Sequence, residues 1–273
     1  MTDNAVTLVG AGLAGSLLAV YLARRGHRVT VYERRPDRRG TDVSEGRSIN
    51  LALANRGIRA LRKVGLYKEI APLLIPMRGR MLHELDGATS LQPYGKDPSE
   101  VIYSISRGGL NALLLDAAER HGVRLRFAHC CEAIDLDSGV LTLRDEANGS
   151  VHSTAPGPVI ATDGAGSAVR RAMVERPGFT ASENVAEHAY KELEIPAAAD
   201  GTHAIEARAL HIWPRGGFML IALPNLDGSF TVTLFLARDG APGFSELDTP
   251  EAVTAFFERT FPDATALMPR LAE

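Results

Sequence analysis

The sequence predicts an α/β chain in two parts: a domain of parallel, helix-covered strands, and a second domain that is mainly an antiparallel β-sheet. Three observations predict it. Ala5 to Ala23 is a run of nineteen residues with no charged side chain, and it contains Gly10-Ala11-Gly12-Leu13-Ala14-Gly15. Glu33 stands eighteen residues past the last of these glycines, at the end of a second apolar stretch. From Phe179 onward the pattern changes to apolar runs broken by Pro-Arg-Gly-Gly and Asn-Leu-Asp-Gly turns, as antiparallel strands require.

The first run divides into elements. Ala5 to Val9 reads as a buried strand and Leu13 to Arg25 as a helix stopped by Gly26. His27 to Glu33 alternates and is β-branched, like a second parallel strand. Strand, glycine turn, helix, strand and terminal acid form the Rossmann-like fingerprint for a dinucleotide, with NAD and FAD equally open at this point. Gly10 allows the tight turn, Gly12 lets the backbone approach the phosphates, and Gly15 lets the helix pack close to the sheet. Leu13 and Ala14 then open a helix whose free N–H groups face the pyrophosphate. A secretory signal would begin with basic residues, whereas the N-terminus carries only Asp3. A membrane helix would have to absorb three glycines within six positions, at about 1 kcal/mol each against alanine.

Further along, Asp37 to Arg47 is a polar loop and Ser48 to Leu53 a short apolar segment. Ile58, Leu61 and Val64 mark one face of a helix from Asn55 to Gly65. Met81 to Leu85 and Thr89 to Tyr94 flank Asp86-Gly87, a hairpin signal, and the hairpin is expected to join the later sheet. Leu110 to His121 reads as a second helix and Val123 to Phe127 as a strand. Val140 to Leu143 reads as one edge of a meander, and Val159 to Asp163 as a buried strand followed by a helix through Arg170. Ala209 to Pro214, Gly217 to Leu223 and Ser229 to Leu236 read as three antiparallel strands. The expected domain boundaries are 1–72 and 103–178 for the nucleotide domain, with 73–102 and 179–273 forming the sheet domain.

A net charge of −3 argues against nucleic acid as the main partner, although Arg34, Arg35, Arg38 and Arg39 cluster after the acid. The two cysteines, Cys130 and Cys131, are adjacent, so a structural disulfide is not expected and a reducing cytoplasm fits. No His/Cys spacing resembles a metal site, and runs such as Phe218 to Pro224 are too short to span a bilayer.

Several strings are rarer than a glycine fingerprint: Gly46-Arg-Ser-Ile-Asn-Leu-Ala-Leu53, Met77-Arg-Gly-Arg-Met81, Tyr103-Ser-Ile-Ser-Arg-Gly-Gly-Leu-Asn111, Leu210-His-Ile-Trp-Pro-Arg215, Ile221-Ala-Leu-Pro-Asn225, Phe230-Thr-Val-Thr-Leu-Phe235 and Phe261-Pro-Asp-Ala264. The chain resembles the flavin-dependent aromatic hydroxylases, and through these strings the kynurenine 3-monooxygenase family among them. The resemblance spans nearly the whole chain. It implies an FAD-binding domain under a β-sheet that covers the flavin, with FAD bound permanently and NADPH visiting. It implies hydroxylation of L-kynurenine to 3-hydroxykynurenine by O2 through a hydroperoxyflavin, in tryptophan degradation by the kynurenine pathway.

The resemblance also assigns roles. Glu33 would accept from the ribose hydroxyls, with Arg34 beside it. Arg47 and Leu53 would lie along the flavin, Arg107 would reach the FAD pyrophosphate, and Cys131 would meet the adenine end by its backbone. Asp163, Gly164 and Ala168 would form the second FAD motif, with an N-cap as the alternative for Asp163. Arg80 and Tyr94 would grip the substrate carboxylate. No side chain is named as a catalytic base, because the flavin carries the chemistry. His211 and Trp213 are read as packing residues of the sheet.

In one respect the chain departs from that family. Flavin hydroxylases carry a third FAD motif, Gly-Asp with a following proline, and later helices that close the substrate pocket, and this sequence holds neither. It is therefore expected to be the first part of a longer enzyme, retaining FAD weakly and hydroxylating little when alone. The alternatives are an FAD hydroxylase of another aromatic compound and a catalytically incompetent FAD-binding fragment.

Overall fold

A computed structural model describes residues 4–39, 50–155 and 157–272. It opens with strand β1 (Ala5–Val9), helix α1 (Leu13–Ala23) and strand β2 (Arg28–Tyr32). Next come β3 (Asn50–Leu53), α2 (Asn55–Lys63), α3 (Tyr67–Ile70), β4 (Ile75–Met77), β5 (Gly79–His83) and β6 (Thr89–Pro93). Then follow β7 (Ile102–Ser106), α4 (Arg107–Arg120), β8 (Arg124–Arg126), β9 (His129–Ile134), β10 (Leu141–Asp145), β11 (Val151–Ser153) and β12 (Val159–Ala161). The rest is α5 (Ala168–Val174), β13 (His188–Ile195), β14 (Leu210–Arg215), β15 (Phe218–Pro224), β16 (Phe230–Ala237), α6 (Pro250–Thr260) and α7 (Pro262–Thr265).

Two compact units divide the chain: Met1–Glu45, Ala60–Tyr67 and Gly108–Glu183 form one, and Gly46–Arg59, Lys68–Arg107 and Asn184–Glu273 the other. In the first unit a parallel sheet runs in the order β12-β1-β2-β8. Leu8 and Val31 are fully buried in its two central strands, as apolar strands covered by helices should be. Helix α1 lays Gly15, Ser16, Ala19 and Val20 into the unit and ends at Ala23, the chain turning away at Gly26, whose φ of +84° suits a residue without Cβ.

Two expectations are corrected here. Val159 to Ala161 is the sheet's outer strand among the described residues, not a buried one, and Ile160 is 37% exposed. Leu141 to Asp145 is the central strand of an antiparallel sheet ordered β11-β10-β9, not its edge, which explains why Leu141 and Leu143 are fully buried. The helix after Asp163 begins only at Ala168, capped by Ser167, whose hydroxyl accepts from Arg170 N–H at 2.9 Å.

The second unit holds a six-stranded sheet in the order β13-β16-β15-β14-β5-β6. The Asp86-Gly87 hairpin supplies its last two strands, with β5 parallel to β14. Gly79 makes the tight start of that hairpin possible, because a Cβ there would lie 2.3 Å from Gln92 O. Trp213, Leu220, Phe230 and Val232 form a core with Phe256, Phe257 and Phe261 from the α6–α7 segment. Helix α6 starts where Thr249 accepts from Ala252 N–H at 3.1 Å, with Pro250 at its first position. A small antiparallel sheet, β3-β7-β4, completes this unit. No described helix is long and apolar enough to cross a membrane.

A candidate dinucleotide and substrate site

The glycine loop is built from close backbone contacts. Gly10 turns at φ +95°, and its N–H donates to Tyr32 O at 2.7 Å, tying the loop to the end of β2. Thr162, just past β12, donates its hydroxyl to both Val9 O and Gly10 O at 2.8 Å. A Cβ on Gly15 would stand 2.0 Å from Gly10 O, so only glycine lets α1 meet the loop this closely. Gly12 differs: a Cβ there would meet nothing within 4 Å. It is the N-cap of α1 and has no side chain with which to cap that end, leaving open space and helix N–H groups together. Asn111 of α4 braces the far side, donating to Ala11 O at 3.0 Å and Ser16 Oγ at 3.2 Å.

Glu33 lies against this loop and is only 7% exposed. Its Oε2 accepts from Ala11 N–H at 2.8 Å, and its Oε1 accepts from Arg35 N–H at 3.0 Å and Arg35 Nε–H at 2.8 Å. Burial alone would raise this carboxyl, but the Arg35 hydrogen bond, the two backbone amides and the Arg35 charge outweigh it. The group sits below its ordinary value. The side-chain partner of Glu33 is Arg35; residues two apart on extended chain share a side, and that spacing was the available sequence signal. Arg34 instead lies within electrostatic range of the Cys130 thiol. Asn111 and Thr162 were also missed as site-forming residues, since neither spacing nor residue type marks a loop brace.

Asp163 follows Thr162, and its Cα would be 2.8 Å from a Cβ on Gly10, so the second motif lies against the glycine loop. Its Oδ2 accepts from Ala168 N–H at 2.9 Å, across Gly164, which has φ +77° and open space around it. Ser167 is the residue that caps α5, and Asp163 reaches the first helical amide from outside. Cys131 pairs with Leu143 across β9–β10, and both cysteines are free thiols. Burial, with the nearby Asp163 charge, pushes the Cys131 thiol up to about 11, so it stays protonated and unreactive near neutrality.

Arg107, Leu53, Arg80 and Tyr94 belong to the second unit. Arg107 opens α4 and is exposed; Leu53 ends β3 and its side chain fills the space beside Gly57. Arg47 lies outside the described residues. Arg80 and Tyr94 are brought together. Arg80 pairs with Gln92 and Tyr94 N–H donates to Arg78 O, making the two diagonal neighbours across the hairpin. The Arg80 guanidinium carbon lies 5.5 Å from the Tyr94 ring centroid. Tyr94 Oη is buried and has no partner among the described residues. Burial raises the phenol, and the charge and polar contact of Arg80 offset only part of that. An exposed guanidinium beside an unsatisfied buried hydroxyl is a donor pair suited to a carboxylate.

The same unit contains a buried polar chain. His83 Nδ1 lies 2.9 Å from Asp263 Oδ2, His83 Nε2 lies 2.8 Å from His211 Nδ1, and His211 Nε2 lies 2.7 Å from Glu206 O. Trp213 Nε1–H donates to the same Asp263 oxygen at 2.8 Å. His211 and Trp213 are thus buried in the sheet, and they also hold α7 to it. Among the described residues no group of His, Cys, Asp and Glu could hold a metal ion.

The open space at Gly12, the uncapped α1 N-terminus and the ionised Glu33 beside Ala11 fit the adenosine and pyrophosphate part of a dinucleotide.

Comparison with known proteins agrees with this geometry. The chain is 53% identical over 271 residues to a kynurenine 3-monooxygenase of Myxococcus xanthus, covering 99% of this chain and 58% of that one. It is 48% identical to the enzyme of the same name from Stenotrophomonas maltophilia, covering 98% of this chain and 59% of the relative. The chain therefore spans a little under three fifths of the length of these curated relatives. Among solved structures it is similar to a FAD-dependent myxobacterial chondrochloren halogenase, with a TM-score of 0.74 at 19% identity, covering 98% of this chain and 60% of that one. A mutant of 2-methyl-3-hydroxypyridine-5-carboxylic acid oxygenase gives a TM-score of 0.75 at 19% identity, covering 98% and 67%. These likenesses show the fold, that of the FAD-dependent aromatic hydroxylases and their halogenase neighbours. The family described as FAD binding domain matches residues 3–269, and the chain belongs to it.

Proposed function

We infer that the protein works as a flavin-dependent monooxygenase that hydroxylates L-kynurenine to 3-hydroxykynurenine with NADPH and O2. The observation that carries this reading is the Arg80–Tyr94 pair, where a guanidinium and a buried unpartnered hydroxyl stand together on one hairpin. That pair suits the carboxylate of an amino-acid substrate, and the curated relatives at 48–53% identity bear the kynurenine 3-monooxygenase name. A bound FAD would supply the redox chemistry, passing electrons from NADPH to O2 so that one oxygen atom could enter the aromatic ring and the other leave as water.

The protein's own residues bind and orient. Gly12 and the α1 N-terminus receive the pyrophosphate, Glu33 accepts from the ribose, and Asp163 with Gly164 lines the loop beside Gly10. Arg107 would add a planar donor toward the pyrophosphate, and Arg34, Arg47, Leu53, Cys131 and Ala168 would make the remaining FAD contacts. Arg80 fixes the substrate carboxylate by charge, with Tyr94 Oη donating beside it.

The test is purification of the protein at the length of its relatives, followed by flavin absorbance and NADPH consumption with and without kynurenine. A yellow protein that consumes NADPH with kynurenine and yields a product heavier by one oxygen supports the reading. A colourless protein that takes up no added FAD overturns it. Turnover of a simple phenol but not kynurenine would reassign the substrate. Arg80→Ala should weaken kynurenine binding about ten- to a hundredfold, the value of a charge-assisted hydrogen bond.

A further inference from the structure

Glu33 is a carboxylate with two tasks in one place. Its Oε2 holds the Ala11 N–H of the glycine loop at 2.8 Å. A carboxylate oxygen can accept two hydrogen bonds, so the same atom has capacity for a ribose hydroxyl as well. Both tasks need the ionised form, since a protonated carboxyl gives up acceptor capacity. Yet the side chain is 9% exposed, and burial works against its charge.

The counterweight lies two residues along. Arg35 donates from its backbone N–H and from Nε to Oε1, while its own side chain remains 53% exposed. Among the described residues, the other charged or titratable groups on the surrounding elements do not take this place. Arg126 of β8 meets Glu33 through a carbonyl that accepts Glu33 N–H at 2.9 Å, and His129 of β9 through an N–H that donates to Glu33 O at 2.9 Å. Arg34, next on the chain, lies within electrostatic range of Cys130. The glycine loop, Gly10 to Ser16, carries no ionisable side chain.

We propose that Arg35 is a positioning residue for nucleotide binding: it keeps the buried Glu33 carboxylate charged and aimed, so that the glycine loop stays closed and the ribose end of FAD finds an acceptor. Arg35 acts through Glu33 and needs no contact with the cofactor. The inference rests on the FAD reading above for its ligand, but not for its effect on the fold.

Two pH trends of opposite sign mark this role. Without the Arg35 side chain only the Ala11 and Arg35 backbone amides are left to oppose burial, so the Glu33 carboxyl rises. FAD then binds only the ionised fraction, so affinity falls as pH falls. For stability the sign reverses. A carboxyl whose folded value is raised costs stability as pH rises past its unfolded value, so the Arg35 variant is most penalised near neutrality and recovers on acidification. In the unaltered protein Glu33 sits below its ordinary value, and neither trend occurs above about pH 5.

The experiment titrates FAD by flavin fluorescence, and follows thermal melting without FAD, from about pH 7.5 to about pH 5. It compares the protein with Arg35→Gln, Arg35→Lys and the double variant Arg35→Gln/Glu33→Gln. Arg35→Gln should lose about tenfold more FAD affinity at the acid end than the unaltered protein does, as one unit of pKa displacement implies. Its melting-temperature deficit should narrow over the same range. Arg35→Lys should restore a flat profile at weaker overall affinity, and the double variant should bind weakly with no pH trend. A flat Arg35→Gln profile, or a trend that persists in the double variant, overturns the proposal. If the unaltered protein binds no FAD at the length of its relatives either, the functional reading fails alone, and the melting data decide: a narrowing deficit supports the Arg35 role and a constant one removes it.

Discussion

His83 and Asp263 meet at 2.9 Å, joining a strand of the six-stranded sheet to the short helix that follows Phe261. Asp263 Oδ2 also accepts from Trp213 Nε1–H at 2.8 Å, so one carboxylate oxygen serves two buried rings that stack with centroids 4.0 Å apart. Removing it leaves an indole N–H and an imidazole nitrogen without a partner. Asp263→Ala should therefore cost about 2–4 kcal/mol of unfolding free energy, and Trp213→Phe, which keeps the His83 contact but loses one donor and leaves a cavity in the core, a comparable amount. Denaturant melts read both. A loss under about 0.5 kcal/mol for Asp263→Ala, typical of a surface position, would refute the latch.

The same chain sets an acid limit. Burial lowers His211 to about 4, against the hydrogen bond to Glu206 O, and burial lowers His83 as well. The unfolded chain therefore takes up protons near the ordinary histidine value of about 6.5 that the folded chain refuses. Stability is complete above that value and declines as pH falls toward the folded value. For His211 the loss approaches about 3 kcal/mol. Melting temperature should fall between about pH 7 and pH 4.5, and His211→Gln should flatten that fall while lowering the neutral value. Equal slopes in the two proteins would show that other groups set the acid limit.

Two glycines of one loop should respond in different ways. Gly15→Ala would drive a Cβ to 2.0 Å from Gly10 O, so it should destabilise by several kcal/mol and abolish FAD uptake with the fold. Gly12→Ala meets no protein atom within 4 Å, so its stability should stay within about 1 kcal/mol while FAD affinity drops. Melting and flavin titration together separate the packing glycine from the glycine that faces the ligand. A Gly12→Ala protein that keeps full FAD affinity would mean the phosphates lie elsewhere.

The sequence made this loop legible because local geometry alone dictates glycine there. The Asp86-Gly87 hairpin was legible for the same reason, with Gly87 at φ +85°. Long-range facts were not. Nothing local says that Val159 to Ala161 forms an outer strand, because a short apolar run reads alike at the centre or the rim of a parallel sheet. Strand β13 went unread, since its charged positions, the exposed Lys191 and Glu194 and the half-buried Glu192, interrupt the apolar pattern. The Arg35 contact with Glu33 went unread because adjacency in sequence is not adjacency in space on extended chain. The strings that carried the resemblance converge on buried polar contacts: His211, Trp213 and Asp263 in one cluster, Asn50, Ser104 and Asn225 in another.

Asn50 shows what that second cluster demands. Its Nδ2 lies 3.1 Å from Ser104 Oγ, 3.1 Å from Pro224 O, and also against Asn225 Oδ1. The amide is a donor among acceptors and is 7% exposed. Asn50→Asp replaces it with a buried carboxylate facing carbonyl oxygens and should cost about 3 kcal/mol or more. Asn50→Ser should cost less, because a hydroxyl introduces no charge there and can still donate. Equal losses in urea titrations would show that shape, not donor character, matters at this position.

Tyr94 offers a test in which stability and binding move apart. Its hydroxyl is buried without a well-formed hydrogen bond among the described residues and has only Arg80 as a polar neighbour, so it returns little to the folded chain against its desolvation cost. Tyr94→Phe should leave unfolding free energy unchanged or raise it by about 1 kcal/mol. The Arg80 guanidinium should still stack on the ring, since the aromatic face is kept. Kynurenine binding should nevertheless weaken by about tenfold, the value of one donor to a carboxylate, with FAD affinity unaltered. A residue that merely packs would lose stability and leave binding alone. The opposite split, measured by melting and by ligand titration on one preparation, would mark Tyr94 as a residue whose buried hydroxyl is reserved for the substrate.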